Sequence, residues 1–303
     1  MNFLSITDLT AKQIRQILKL AKKLKYTSNK DFKGKTMVML FEKPSLRTKL
    51  SFDVAMNQLG GHPVYFSPQE FGLGTREPAS DIGKVVSRMA DLIVARVFSH
   101  RHLLELAQNS RVPVINALSN LEHPCQALAD FLTIWEMKGK LESLTLAYVG
   151  DGDNNVTHSL ALGCALLGIN FKCASPKGFW MNKEVTKRVK EIALKTEVEI
   201  LETDDPKKAV KDVDVVYTDT WVSMGDEKEK AKRLKIFTPF QVDQQLMKLA
   251  KKDAIFMHDM PAYRGNEVAA EVIDGPQSVI FQQAENRLHA QKALMAWLMS
   301  NQN

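Results

Sequence analysis

Short β-prone apolar runs alternate with amphipathic stretches of helical period along this chain. That alternation limits the folds open to it more than any other feature. Thr36–Phe41, Val64–Phe66, Leu92–Ala95 and Val112–Ile115 read as buried strands. Around them, Asp8–Lys25, Ser45–Leu59, Asp81–Met89, His102–Asn109 and His123–Met137 read as helices, and Gly60-Gly61 is a stop signal. Strands separated by helices pair in parallel, because each crossover returns the chain to the same end of the sheet and lays a helix over one face. The pattern then restarts. Leu144–Val149, Phe171–Ala174, Glu197–Leu201, Val213–Thr218 and Ala254–Met257 are strand-like, with helices from about Asn155, at Lys183–Lys195, Ala209–Lys211 and Pro239–Lys248, and a last one over Gln283–Met299. Single cores stop growing near ~250–300 residues, so a chain of 303 residues with this restart is expected to be α/β: two successive domains, each a mainly parallel sheet covered by helices, joined near Lys138–Ser143. Ligands of such sheets bind beyond the strand C-termini.

Charge and cysteines narrow the setting. Lys and Arg number 41 against 35 Asp and Glu, a formal charge of +6, which suits an anionic small substrate or a nucleic acid. The lysines of Lys228–Lys235 are interleaved with Glu, as on a solvated helix face, and no run of five like charges forms a nucleic-acid arm. Cys125, Cys164 and Cys173 make no paired framework, the N-terminus lacks a basic region followed by an apolar stretch, and no apolar run approaches ~18 residues. The expectation is a cytoplasmic protein with no membrane span and no nucleic-acid partner.

Several strand ends carry groups suited to chemistry. Phe41-Glu-Lys-Pro-Ser-Leu-Arg-Thr-Lys-Leu-Ser-Phe52 joins a strand to a helix opening around Ser45. Free backbone N–H groups there, with the Ser45 and Thr48 hydroxyls and the Arg47 guanidinium, make an anion cradle; an ordinary N-cap beside an exposed Arg is the plainer alternative. Gly150-Asp-Gly-Asp-Asn-Asn155 lacks the G-x-G-x-x-G spacing of a dinucleotide site, and Val156 and Leu162 stand where a calcium loop needs Gly and Glu. His123 and Cys125 have no further pair at a zinc-like spacing, so no metal is expected. His258 reads as a strand-end histidine satisfied by backbone.

Six segments in order closely resemble the aspartate/ornithine carbamoyltransferase family over nearly the whole chain. They are Phe41–Thr48, Asp91–Arg96, His123-Pro-Cys-Gln126, Gly150–Asn155, Asp219-Thr-Trp-Val-Ser-Met-Gly225 with His258-Asp-Met-Pro261, and Ala284–Leu288. The resemblance implies a carbamoyl phosphate-binding domain over 1–138, an ornithine-binding domain over 139–282, and a C-terminal helix, 283–303, packing back on the first. It implies that Ser45, the Leu46 backbone, Arg47 and Thr48 hold phosphate, that Arg96 bridges phosphate and carbonyl oxygen, and that His123 donates to the oxyanion. Gln126 would orient the carbamoyl amide, with Arg287 and Met260 completing that end. Asn155 and Asp219 would take the α-ammonium of ornithine, while Ser223 and Met224, on a loop hinged at Gly225, would fold over it. That Ser-Met-Gly sequence favours ornithine over aspartate. Thr75 and Arg76 are possible contacts to a neighbouring subunit's site in a homotrimer. No cofactor is implied.

One position departs from the pattern. The ornithine branch usually reads His-Cys-Leu-Pro, with the Cys against the reacting amine, whereas this chain has His258-Asp-Met-Pro261. An alkyl amine with pKa ~10.4 is only about one part in 10³ neutral at pH 7. Asp259 could hold the ammonium form and slow attack, or act as a general base if its environment raises its proton affinity. Two alternatives therefore stand: a carbamoyltransferase for another amine, such as putrescine, and a catalytically impaired paralogue.

Overall fold

The computed structural model describes residues 1–27, 31–74, 76–222 and 227–301. Of the positions singled out above, Thr75, Ser223, Met224 and Gly225 lie outside the described residues. The chain divides into two compact units, Met1–Leu132 with Glu285–Asn303, and Thr133–Ala284. The first division point falls inside the Pro124–Lys138 helix, earlier than the expected junction.

In the first unit, β1 (Thr36–Phe41), β2 (His62–Phe66), β3 (Leu92–Arg96) and β4 (Val114–Leu118) form a parallel sheet in the order β2-β1-β3-β4. β1 is an unbroken apolar run because it lies between two neighbours with both faces covered, and every residue after Thr36 is buried. Val38, Leu40, Ile93, Ala95 and Val114 pack with Leu103 and Leu106 of the His100–Gln108 helix. β4 begins later than its apolar run suggests, at Val114, since Pro113 has no N–H to give a ladder. It continues through buried Asn116, whose backbone N–H donates to Phe3 O at 2.8 Å and whose side-chain amide donates to Leu4 O at 2.8 Å. The N-terminal segment thus accepts from the backbone and side-chain N–H donors of a polar residue that local sequence argues against.

In the second unit, β5 (Thr145–Val149), β6 (Asn170–Ala174), β7 (Ile200–Thr203), β8 (Val215–Thr218) and β9 (Ile255–His258) form a parallel sheet in the order β7-β6-β5-β8-β9. Its core joins Ala147, Val149, Val216 and Phe256 to Val210, Phe240, Val272 and Ile273. The expected Pro239–Lys248 helix is instead two short pieces, Thr238–Phe240 and Gln244–Met247. Asp243 starts the second by accepting the Leu246 N–H at 2.8 Å, a cap that competes with helix continuation.

The Ile280–Ser300 helix belongs to the first unit from Glu285 onward. It packs there through Ala290, Leu294 and Leu298, all buried. Polar ties reinforce it: Lys292 donates to Thr27 O at 3.1 Å and to Gln58 Oε1 at 2.8 Å, and Lys25 donates to Asn286 Oδ1 at 3.0 Å. Among the described residues no helix is long and apolar enough to cross a membrane.

Strand order reverses once in each sheet, between β1 and β3 and between β5 and β8. Loops leaving adjacent strands in opposite directions open a crevice at such a point. In this chain those loops are 42–45 and 97–99 in one unit and 150–154 and 219–222 in the other.

Candidate active site

At the first reversal, β1 ends and Ser45 caps the Leu46–Gln58 helix. The Ser45 hydroxyl oxygen accepts the Thr48 N–H at 3.3 Å and its O–H donates to Thr48 Oγ1 at 2.9 Å. Thr48 is buried, Ser45 and Arg47 are half-buried, and Leu46 is exposed, so Leu46 contributes backbone here rather than core. Behind the helix start runs a buried polar chain. Arg287 donates through Nη2 to Thr48 Oγ1 and through Nη1 to Gln126 Oε1 at 2.7 Å, while Gln126 Nε2 donates to Asp130 Oδ1 at 2.8 Å. Four residues from three helices are thereby held relative to the anion cradle.

Arg96 ends β3 opposite Phe41 of β1. The register with β4 slips between Ala95 and Arg96, and such a bulge re-aims a side chain at a strand end. Across the crevice, the Glu42 N–H donates to Arg96 O at 2.8 Å and Glu42 Oε2 accepts the Phe98 N–H at 2.8 Å, which joins the two loops. His123 immediately precedes the Pro124–Lys138 helix and is buried. Burial first, then the charges of Arg287 and Arg96, hold its imidazole well below the usual histidine range. It is a neutral donor beside two cations, suited to a developing oxyanion. The fully buried Cys125 thiol is pushed up by burial, remains protonated, and donates to Asn116 O at 3.3 Å.

At the second reversal, β5 runs into Gly150-Asp-Gly-Asp-Asn154, and Asn154 caps the Asn155–Leu167 helix by accepting the Val156 N–H at 2.7 Å. A Cβ on Gly152 would lie 2.6 Å from Phe179 O and 2.7 Å from Ser175 Oγ, so the glycine permits backbone contact within the protein. Asp219 follows β8 and is buried. Its Oδ1 accepts the Thr220 N–H at 2.7 Å and its Oδ2 accepts from Asn154 Nδ2 at 3.2 Å. Burial, reinforced by the Asp259 charge, pushes the Asp219 carboxyl up to about 7. Asn155 opens the helix half-buried.

β9 delivers His258, Asp259 and Met260. His258 Nδ1 accepts the Met260 N–H at 2.8 Å, and its Nε2 lies 3.2 Å from Glu267 Oε1, which also accepts the Tyr263 N–H at 2.5 Å. The backbone-satisfied reading of His258 fits, with Glu267 as an additional partner. Met260 takes a left-handed backbone, φ 61°, which is costly for a residue with a side chain and gathers at functional turns.

Three residues that local sequence does not mark belong to these sites, one in the first unit and two in the second. Asn154 holds Asp219, though two adjacent asparagines gave no way to tell cap from ligand. Arg233, on the Lys230–Phe237 helix, donates to Asp151 Oδ2 and to Trp221 O, and lies 5.0 Å from the Phe179 ring. In sequence it is one more cation of the Lys228–Lys235 stretch. Asp130 orients Gln126 one helical turn away; the i,i+4 spacing was visible, its burial was not. Among the described residues no group of three or more His, Cys, Asp or Glu side chains is placed to hold a metal ion.

Comparison with known proteins gives a consistent result. Residues 1–136 match the family described as "Aspartate/ornithine carbamoyltransferase, carbamoyl-P binding domain", and residues 142–298 match "Aspartate/ornithine carbamoyltransferase, Asp/Orn binding domain". The ornithine carbamoyltransferase of Caldicellulosiruptor saccharolyticus is 50% identical over 302 residues, covering 98% of each chain. The solved ornithine carbamoyltransferase of Pyrococcus furiosus superposes with a TM-score of 0.96 at 47% identity, covering 100% of this chain and 98% of that one. The anabolic enzyme of Campylobacter jejuni does so with a TM-score of 0.95 at 39% identity, covering 100% and 99%.

Proposed function

Because this chain belongs to the aspartate/ornithine carbamoyltransferase family, we propose that it is an ornithine carbamoyltransferase, moving the carbamoyl group of carbamoyl phosphate to the δ-amine of L-ornithine and releasing citrulline and phosphate. The observation that carries the reading is the anion cradle at Ser45–Thr48, backed by the buried Arg287–Gln126–Asp130 chain. The helix dipole and free N–H groups favour a doubly charged phosphate there.

The phosphate is held by Ser45, the Leu46 N–H, Arg47 and Thr48. Arg96 spans phosphate and carbonyl oxygen, and neutral His123 donates to that oxygen as charge develops. A preorganised donor of this kind contributes about 3 kcal/mol to the transition state. Gln126 gives its N–H to Asp130, so Oε1, already facing Arg287, keeps a second lone pair for the carbamoyl amide. By resemblance, Arg287 and Met260 are assigned to the carbamoyl group. By resemblance, Asn155 and Asp219 are assigned to the α-ammonium, Ser223 and Met224 to the acceptor, and Asp259 to the δ-amine. With an amine as nucleophile and phosphate as leaving group, the reaction draws on neither cofactor nor metal.

The Pyrococcus and Campylobacter relatives are both described as anabolic, and we extend that direction, citrulline toward arginine, to this chain. The same reading includes a homotrimer, with Arg76 and Thr75 as candidate contacts to a neighbouring site, and a cytoplasmic location in keeping with three buried free cysteines. The test is a panel of ornithine, putrescine, lysine, aspartate and acetylornithine with carbamoyl phosphate, scored by kcat/KM. Ornithine should exceed every other amine by about a hundredfold or more. A win by another amine overturns the acceptor assignment, and absence of turnover with all of them overturns the enzyme assignment.

A further inference from the structure

The loop 119–123 leads from the end of β4 to the Pro124–Lys138 helix and carries His123 as its last residue. Its fastenings converge on one peptide group. The Glu122 carbonyl, which shares a peptide plane with the His123 nitrogen, accepts the Ser119 N–H at 2.9 Å and an Asn116 Nδ2 hydrogen at 3.4 Å. Ser119 Oγ accepts the Leu121 and Glu122 N–H groups at 3.3 and 3.2 Å, and His100 Nδ1 lies 2.8 Å from the same oxygen. On the far side, His123 O accepts the Gln126 N–H at 3.0 Å and the Ala127 N–H at 3.2 Å, which opens the helix. Because peptide groups are planar, holding those before and after His123 sets the direction of its Cα–Cβ bond.

The Glu122 side chain extends these ties to the N-terminus. It is only 4% exposed, and a carboxylate is seldom buried without donors that offset its desolvation. Its Oε2 accepts the Ile6 N–H at 3.1 Å, 116 positions away. Ile6 opens the short 3-10 turn Ile6–Asp8 behind Ser5, so its N–H is one that no helical carbonyl can take. The residues before it lie along β4. Phe3 pairs with Ile115 in parallel, and Asn116 Nδ2 donates to Leu4 O at 2.8 Å as well as to Glu122 O. Asn116 and Glu122 therefore join the N-terminal segment to the peptide group that carries His123.

Resting on the reading of His123 as the oxyanion donor, we propose that Glu122, Ser119 and Asn116 are positioning residues for its imidazole, anchored by the N-terminal segment. A donor stabilises a developing charge best when it already points to where the charge will form, so that nothing reorganises during the reaction. Connecting loops are more mobile than the elements they join. This one is held from the sheet by Asn116, within the turn by Ser119, and from the N-terminus by Glu122. Each acts through the peptide group before His123 rather than on substrate. Misplacing a catalytic group by ~1 Å costs up to about a hundredfold in rate. Ground-state binding of the phosphate draws on the cradle at Ser45–Thr48, which other elements build, so the cost falls on kcat rather than on KM.

The test is a double-mutant cycle between Glu122→Leu and His123→Asn, read as citrulline formation, with the folding of each variant checked by circular dichroism. Glu122→Leu should lower kcat about tenfold while both KM values stay within about twofold. Glu122→Gln keeps an oxygen that accepts the Ile6 N–H and should restore kcat to within about threefold. In the His123→Asn background, Glu122→Leu should change kcat by less than about twofold, because the group it positions is already gone. Ser119→Ala, the smaller change, takes the place of Glu122→Leu in the same cycle if that variant does not fold. An equal loss in both backgrounds overturns the proposal, since it would mean a role in stability alone. So does an unaltered kcat in Glu122→Leu, or a Glu122→Gln variant no better than it. Absence of citrulline from the unmodified enzyme would instead defeat the acceptor reading and this inference together.

Discussion

Asp219 and His123 are both buried and both biased toward neutrality, one by holding a proton and the other by losing it. For Asp219 this has a consequence for stability. Its folded-state affinity, about 7 against a model-compound value of 3.8, means the native protein binds more protons than the unfolded chain between those values. Stability contributed by this group is therefore fully present below pH 4, is lost as pH rises toward 7, and stays lost above it. Asp219→Asn should relieve that loss. In calorimetry its Tm advantage over the parent should be small at pH 5 and largest above pH 7, by roughly 2–4 °C for each kcal/mol relieved. Ornithine turnover should fall in the same variant. A Tm difference independent of pH would mean that Asp219 is ionised throughout.

Single loops leaving β5 and β8 carry the residues proposed for the acceptor, and their placement depends on packing at one glycine. Gly152 lies against Phe179 O and Ser175 Oγ, between Asp151, which pairs with Arg233, and Asn154, which holds Asp219. Gly152→Ala forces a Cβ onto backbone, which does not yield as a side-chain tip would, and overpacking of this kind costs about 1–3 kcal/mol. The expected outcome is a raised KM for ornithine with the KM for carbamoyl phosphate little changed, because the cradle at Ser45–Thr48 is built on separate elements. Equal increases in both would show that the glycine serves general stability. Much of this scale was legible beforehand: strand–helix alternation, the helix start at Ser45 and the loops after β5 and β8 follow from period, capping and turn chemistry. Asn116 in β4 was not legible, because its acceptors come from the N-terminus, and neither was the break at Asp243, where a side-chain cap outcompetes helix propagation.

The two units share a design in which a parallel sheet reverses its strand order once and collects its polar residues at that reversal. The proposed anion and acceptor sites thus each lie where topology alone opens a crevice, one in each unit. At this scale the trimer of the proposed function is testable. Sedimentation at micromolar concentration should give one species of three times the 34.1 kDa chain mass, and a monomer active at that concentration would overturn it.

The sequence by itself determined the α/β class and the family, and it named the residues proposed for phosphate, oxyanion and ammonium, because these depend on residue type and local period. It also exposed Asp259 as a departure from the pattern. Tertiary structure decided which groups act together. Arg287 reaches Thr48 across 239 positions of chain, Asn154 reaches Asp219 across 65, and Thr218 pairs with His258 because β8 and β9 are adjacent. Proton affinity follows from those neighbours and from burial, and neither exists until the sheets have closed around them.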